Sequence, residues 1–367
     1  MDGLPLLPTT VVGSYPVPEW MERLKTEYFR GKMSHAQLQD VHEMAIKAAL
    51  RDQELARIDI VSDGELRRDN DLDYFLARMP GIEIAHTAKD FYFDYFDTRV
   101  NAPLPAPDGP APLGLADDFA FTDSQTDRPI KFSFTGPFSL SRRVRDEAYA
   151  DRRDLVLAIA RILNAEAHAL AARGARLLQI DEPFLAGYPN ELGTAVEAIN
   201  IVTAGVDVTW GLHVCYGNRY ARPSWEGHYD FLFPAVLDAA VDQLVLEFAR
   251  KGHDDLPVVE KHGWDRVLGV GVVDVKTDQI ETPALIASRI RLALEFVPAD
   301  RLVVNPDCGL RNLTGAVARA KLAAMVAGTA QVRRSLAGDS VENPAVENPA
   351  VDDAAHDKGA FGEGAPR

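Results

Sequence analysis

Short apolar, β-rich runs alternate along this chain with longer stretches in which apolar residues recur at helical spacing. The runs cover residues 9–13, 58–63, 130–135, 177–181, 206–215, 243–248, 267–274 and 302–306. Between them, residues 34–56, 154–173, 283–296 and 315–328 read as helices. In the second of these, Leu155, Val156, Ile159, Ile162 and Leu163 share one face, the spacing that buries one side of a helix. Strands that alternate with helices predict a parallel sheet with crossover helices. Eight such units in succession predict an α/β fold closed into a (β/α)8, or TIM, barrel with loop insertions. No glycine-rich dinucleotide fingerprint follows the first run, which argues against an open doubly wound sheet.

Two segments interrupt the repeat. Residues 91–127 begin aromatic and continue rich in Pro, Ala and Asp; they are expected to form a hairpin and an irregular loop over one barrel end. Residues 216–229 carry Asn, Arg, Pro, Trp and Gly and are expected to cover a site at the end of the fifth run. Past residue 337 the pattern stops. The pentapeptide Val-Glu-Asn-Pro-Ala repeats at 341–345 and 346–350, followed by an Ala/Asp/Gly stretch. Such a segment buries too little apolar surface to offset chain entropy. The expected organisation is a barrel domain over 1–337 and a disordered acidic C-terminal tail over 338–367.

Composition narrows the function classes. The 367 residues include 47% hydrophobic ones, enough for a large core. The net charge of −16 argues against binding a nucleic-acid backbone, which needs a basic surface. With Cys215 and Cys308 as the only cysteines, a disulfide framework is not expected. Residues 1–8 have no basic stretch followed by an apolar one, so no signal peptide is read. No apolar run is read as long enough to span a bilayer. The expectation is a soluble cytoplasmic protein without nucleic-acid or membrane partners.

The candidate chemistry lies in the second half. His213 and Cys215 stand two apart on one run, so both side chains point to one face of a strand. Cys308 follows Asn-Pro-Asp at the end of the last run, where a barrel places its working residues. Glu247 is the one acid within the apolar stretch 244–248, and a carboxylate there needs a metal or a cationic partner such as Arg250 or Lys251. Sulfur, imidazole and carboxylate donors together are a zinc-type set. With an exchangeable position, such a zinc activates a thiol toward an electrophilic carbon.

These residues sit in a series of ordered blocks. They are Val12-Gly13-Ser14-Tyr15-Pro16, Asp63-Gly64-Glu65-Leu66-Arg67-Arg68-Asp69-Asn70 with Tyr74-Phe75, Thr135-Gly136-Pro137, and Gln179-Ile180-Asp181-Glu182-Pro183. His213-Val214-Cys215-Tyr216, Glu247 and Asn305-Pro306-Asp307-Cys308-Gly309-Leu310 complete the series. Over residues 9–330 the chain resembles the C-terminal catalytic barrel of cobalamin-independent methionine synthase, as a short single-barrel member. The resemblance implies zinc (Zn2+) on His213, Cys215, Glu247 and Cys308, joined by the sulfur of homocysteine. It implies that Ser14 and its neighbours hold the substrate carboxylate and that Glu65 and Asp181 hold its ammonium. Asp181 and Lys276 take the catalytic places, Lys276 standing where the family has a histidine that relays a proton.

On the methyl-donor side the chain departs from the family. Arg143 stands where a tryptophan stacks on folate, and Gly187 where an acid binds the pterin. Methyltetrahydrofolate and a methylcorrinoid, carried on a corrinoid protein, both stay open as donors. The leading expectation is methyl transfer to homocysteine. The alternative is alkyl transfer to another thiol, such as epoxyalkane:coenzyme M transfer. Glu65 and Asp181 favour an amino-acid thiol, because an ammonium needs carboxylate partners. Arg67, Arg68 and Arg143 keep a sulfonate possible. A zinc- or corrinoid-binding accessory protein is the non-enzymatic reading.

Overall fold

The computed structural model describes residues 3–86, 95–107 and 109–338. Six parallel strands run in order Lys131–Thr135, Leu177–Asp181, Thr209–Val214, Gln243–Leu246, Val267–Val273 and Leu302–Pro306. The two first apolar runs close the ring. Thr9 bridges Val304, Thr10 bridges Ile60, and Val61 bridges Ile130, all parallel. Each of these two staves pairs over only one or two residues, shorter than the expected runs 9–13 and 58–63. Eight staves in chain order nevertheless form a closed (β/α)8 barrel. A one-residue alternation then sorts the side chains. Phe132, Phe134, Leu178, Ile180, Leu212 and Val214 face outward and are buried beneath the helices. Ser133, Gln179, Asp181, His213 and Cys215 occupy the alternate, inward positions.

The helices begin where the sequence provides caps. Ser34 and Gln37 form a reciprocal capping box at His35–Leu55, which satisfies amide donors left free by the first turn. Asp151, Thr282 and Thr314 accept backbone N–H groups at the starts of Arg152–Ala172, Pro283–Ala293 and Gly315–Leu336. The last helix runs eight residues beyond the expected 315–328. Helix Arg152–Ala172 has the length and mean hydropathy of a membrane span, contrary to the expectation that no such run exists. Its buried face, including Leu155, Ile159, Leu163 and Leu170, is instead part of the barrel's outer core.

The first insertion also differs from its expectation. Strand Asp97–Val100 pairs antiparallel with Glu83–His86 and parallel with Val144–Asp146, so the hairpin starts earlier than residue 91. The irregular loop contains a helix, Leu115–Asp123. Gly114 enters it in a left-handed conformation, and Leu115, Phe119 and Thr122 are buried at helical spacing. Glu166 holds its start by accepting the amides of Leu113 and Leu115. Residues 91–94 and the expected tail over 339–367 lie outside the described residues.

Candidate active site and metal centre

A cavity of about 290 Å3 opens at the C-terminal ends of the strands. Its lining includes Ser14, Glu65, Asp181, His213, Cys215 and Cys308, so the barrel brings six of the expected site residues together. The donor atoms of His213, Cys215 and Cys308 all lie within 4.8 Å of one another. The two sulfurs are 3.5 Å apart.

The chemistry of this trio fits a soft divalent metal. His213 Nδ1 lies 3.0 Å from the carbonyl of Val245. A carbonyl only accepts, so Nδ1 carries the proton and the lone pair is left on Nε2. Nε2 is buried and has no protein hydrogen-bond partner. The neighbouring Cys215 sulfur, followed by burial, pushes the Cys308 thiol well above its ordinary pKa. Two adjacent thiols in such a place do not both ionise without a cation. Two sulfurs and one imidazole constitute a three-protein-ligand set with room for a further ligand from the cavity.

Glu247 stands outside that trio. Its Oε2 accepts from Lys276 Nζ at 2.9 Å and from the Tyr216 amide at 3.3 Å. Its Oε1 accepts from Arg250 Nε at 2.8 Å. Fully buried, the carboxylate is thus compensated by two cations; Arg250 was an expected partner and Lys276 was not. Lys276 lies in that ion pair and not on the cavity wall. Burial opposes its charge, but Cys308, Glu247 and Cys215 outweigh burial and raise its pKa.

On the opposite wall the acids are differently held. Glu65 sits at φ 56°, a conformation that costs energy for a side chain with a Cβ. Its Oε1 accepts from Ser133 Oγ at 2.8 Å and lies 3.5 Å from Arg68 Nη1. Asp181 accepts from Gln179 Nε2 at 2.7 Å. Burial pushes its carboxyl up to about 7, with Glu65 adding to the rise and His213 opposing it. Arg67 and Arg68 lie behind the cavity wall, Arg68 beside Glu65. Arg67 pairs with Asp118, and Arg68 donates to the Ser133 carbonyl. Ser14 meets the last strand's turn directly: a Cβ on Gly309 would lie 1.9 Å from Ser14 Oγ, so a larger residue there would displace the Ser14 hydroxyl.

Three contributors were not singled out in the sequence. Asp307 accepts three backbone amides, from Phe248, Ala249 and Arg250, at 2.7–3.0 Å. It ties the turn beside Glu247 to the turn carrying Cys308. Lys131 projects into the barrel with its Nζ buried and unpartnered, and burial lowers its pKa to about 7. Tyr95 lines the cavity and donates to Asp71 at 2.9 Å. The signal for Asp307 was in the Asn-Pro-Asp-Cys-Gly block; the others depend on tertiary placement.

Fold and site together define a barrel enzyme that sets a sulfur-rich metal-type trio against buried acids in one cavity. Residues 7–331 match the family model described as "Cobalamin-independent synthase, Catalytic domain". The chain is 34% identical over 337 residues to a methionine synthase of Sulfurisphaera tokodaii, covering 92% of this chain and 95% of that one. It is 35% identical over 338 residues to one of Saccharolobus solfataricus, covering 92% and 98%. Among solved structures, a B12-independent methionine synthase from Shewanella sp. W3-18-1 in complex with selenomethionine aligns with a TM-score of 0.79. It has 29% identity and covers 91% of this chain and 99% of that one. The chain belongs to the cobalamin-independent methionine synthase family, and is a methyltransferase of that family.

Proposed function

We propose that this chain transfers a methyl group to the thiol of homocysteine, giving methionine, with zinc held by His213, Cys215 and Cys308. The convergence of those three donor atoms with Glu65 and Asp181 in one cavity supports the reading most directly. The relatives' printed names, methionine synthase, support the product, and the Shewanella complex with selenomethionine supports an amino-acid ligand of that shape. Zinc there would lower the pKa of a thiol placed beside it and leave a strong sulfur nucleophile near neutral pH.

The protein's own residues do the rest. Ser14 Oγ and nearby amides orient the substrate carboxylate; Glu65 and Asp181 take its ammonium, which points the thiol toward the trio. Glu247 completes the metal set only by turning its carboxylate away from Lys276 and Arg250. Lys276 therefore holds Glu247 in reserve, and its ammonium serves the leaving group as an acid only when that ion pair opens. The 216–229 loop, with Asn218, Ser224 and Trp225 on the cavity wall, limits water at the sulfur. The barrel domain over 1–337 carries all of these groups.

Zinc-edge X-ray absorption, with and without homocysteine or coenzyme M, tests the proposal. A third sulfur ligand that appears only with homocysteine is expected. A third sulfur only with coenzyme M would move the chain to the other thiol chemistry. Cys308→Ser is expected to lose turnover and most zinc affinity; full activity of metal-depleted Cys308→Ser would remove the metal from the mechanism.

A further inference from the structure

Beneath the cavity floor the barrel encloses an amine that neither the metal trio nor the substrate pocket uses. Lys131 opens the strand Lys131–Thr135 and is 2% exposed. Strand alternation puts it on the same inward face as Ser133, whose hydroxyl donates to Glu65 Oε1 at 2.8 Å. In the adjoining strand Lys131 is level with Leu177, and Thr135 with Asp181. The lysine thus enters the barrel below the acids that meet the cavity. Gln179 lies between the two levels. Its Nε2 donates to Asp181 at 2.7 Å and to the Val12 carbonyl at 2.9 Å, while its buried Oε1 has no protein donor.

Lys131 Nζ has no hydrogen-bond acceptor within the protein. The other two buried lysines among the described residues are paired, Lys25 with Asp69 at 3.1 Å and Lys321 with Glu281 at 2.9 Å. An amine buried without a partner costs stability, and a methionine of similar length would fill the space without that cost. Burial lowers the Lys131 pKa to about 7, and the charges of Asp181 and then Glu65 oppose the fall by favouring the ammonium. These are the two carboxylates assigned above to the substrate's ammonium. Arg68, 3.5 Å from Glu65, is a fixed cation on that side; Lys131 is the cation that acts chiefly on Asp181.

We propose that Lys131 is a positioning residue that limits the grip of the site on amino acids: its ammonium competes, across Asp181 and Glu65, with the ammonium of the bound substrate or product. The proposal rests on the homocysteine reading above and adds a reason for a costly residue. Homocysteine and methionine carry the same ammonium and carboxylate, so acids that hold one hold the other equally. Such uniform binding does nothing for the methyl transfer itself and retains the product. A cation beneath the acids weakens it.

The test is calorimetric binding of L-methionine to zinc-loaded wild type, Lys131→Met, Lys131→Gln and Lys131→Arg. Methionine is the probe because it carries the ammonium and has no thiol proton to lose. Both neutral variants are expected to bind it more tightly, by roughly three- to tenfold, the scale of one charge removed from near a buried ammonium. Lys131→Arg, which keeps the charge, should bind no more tightly than wild type. The analogue 4-(methylsulfanyl)butanoate, which is methionine without its amine, should gain less than about twofold in the neutral variants. In steady state the homocysteine KM should fall in Lys131→Met with no rise in kcat, whereas damage to the fold would raise KM. Equal or weaker methionine binding by both neutral variants overturns the proposal, as does equal tightening of the amine-free analogue; either result leaves the function reading in place. Failure of methionine to bind wild type would overturn the function reading and this proposal with it.

Discussion

Asp181 lies recessed in the cavity with Gln179 as its side-chain donor, and its carboxyl titrates near 7 because burial disfavours the anion. A substrate ammonium reverses that penalty, so Asp181 binds best when ionised. Asp181→Asn is expected to raise the homocysteine KM roughly tenfold to a hundredfold, the worth of a charge-assisted hydrogen bond, with a smaller change in kcat. The wild-type KM should rise as pH falls below 7, and the variant's should not; steady-state kinetics across pH 6–8.5 decides it. Its neighbour Glu182 is wholly buried and accepts from the Phe138 and Ser139 amides and from Ser139 Oγ. Burial, ahead of those bonds, leaves its pKa raised to about 7. A raised folded-state pKa means that the folded protein prefers the protonated acid. That stability is fully present below the unfolded value, about 4.3, and is lost as pH rises through 7. Over that window the loss is on the order of 3 kcal/mol. Glu182→Gln should remove this slope, so urea unfolding at pH 5 and pH 8 should differ less than in wild type. His213, Cys215 and Cys308 were legible in the sequence because strand alternation and strand ends dictate where such side chains point. Lys131 was not, since an amine inside a barrel looks in sequence like any surface lysine.

At the scale of elements, Asp307 joins two turns by three backbone hydrogen bonds to residues 248–250. Removing the carboxylate leaves three amides without their acceptor. Asp307→Ala is therefore expected to lose roughly 3 kcal/mol or more of stability. Because Cys308 is the next residue, zinc affinity should fall with it; chelator competition alongside thermal melts would show both. A variant with wild-type melting and metal retention would reduce Asp307 to an incidental contact. The starts of Pro283–Ala293 and Gly315–Leu336 fell where the apolar period placed them, directly after the capping Thr282 and Thr314. Leu115–Asp123 was hidden because its stretch is rich in residues that also make loops, and its start is stabilised by Glu166, which is 51 residues away from Leu115. The placement of the Arg143 and Arg219 guanidinium groups over the Tyr95 ring and the packing of Trp225 against Gly187 were likewise unreadable. Each joins loops whose meeting is decided by the barrel and not by local pattern.

Taken whole, the molecule is held shut by its ends. Arg333 in the last helix donates to the carbonyls of Leu6 and Leu7 and pairs with Asp59, while Thr9 and Thr10 sit between Val304 and Ile60. Among the described residues, the contacts that close the barrel are complete by Arg333. A chain ending at Gly338 is accordingly expected to melt within about 2 °C of full length and to keep its turnover number. A larger loss in either would give the 339–367 segment a structural or catalytic part. Closure has a further consequence in the order of synthesis. Ser14 is made first, His213 and Cys215 well into the chain, and Cys308 near the end of the barrel. The Leu310 amide then donates to the Ser14 carbonyl at 2.8 Å, so the site's first and last pieces are sutured across the seam. While the chain is still on the ribosome it holds two of the three metal donors and one wall of a pocket. The site is complete only once the eighth stave lies beside the first.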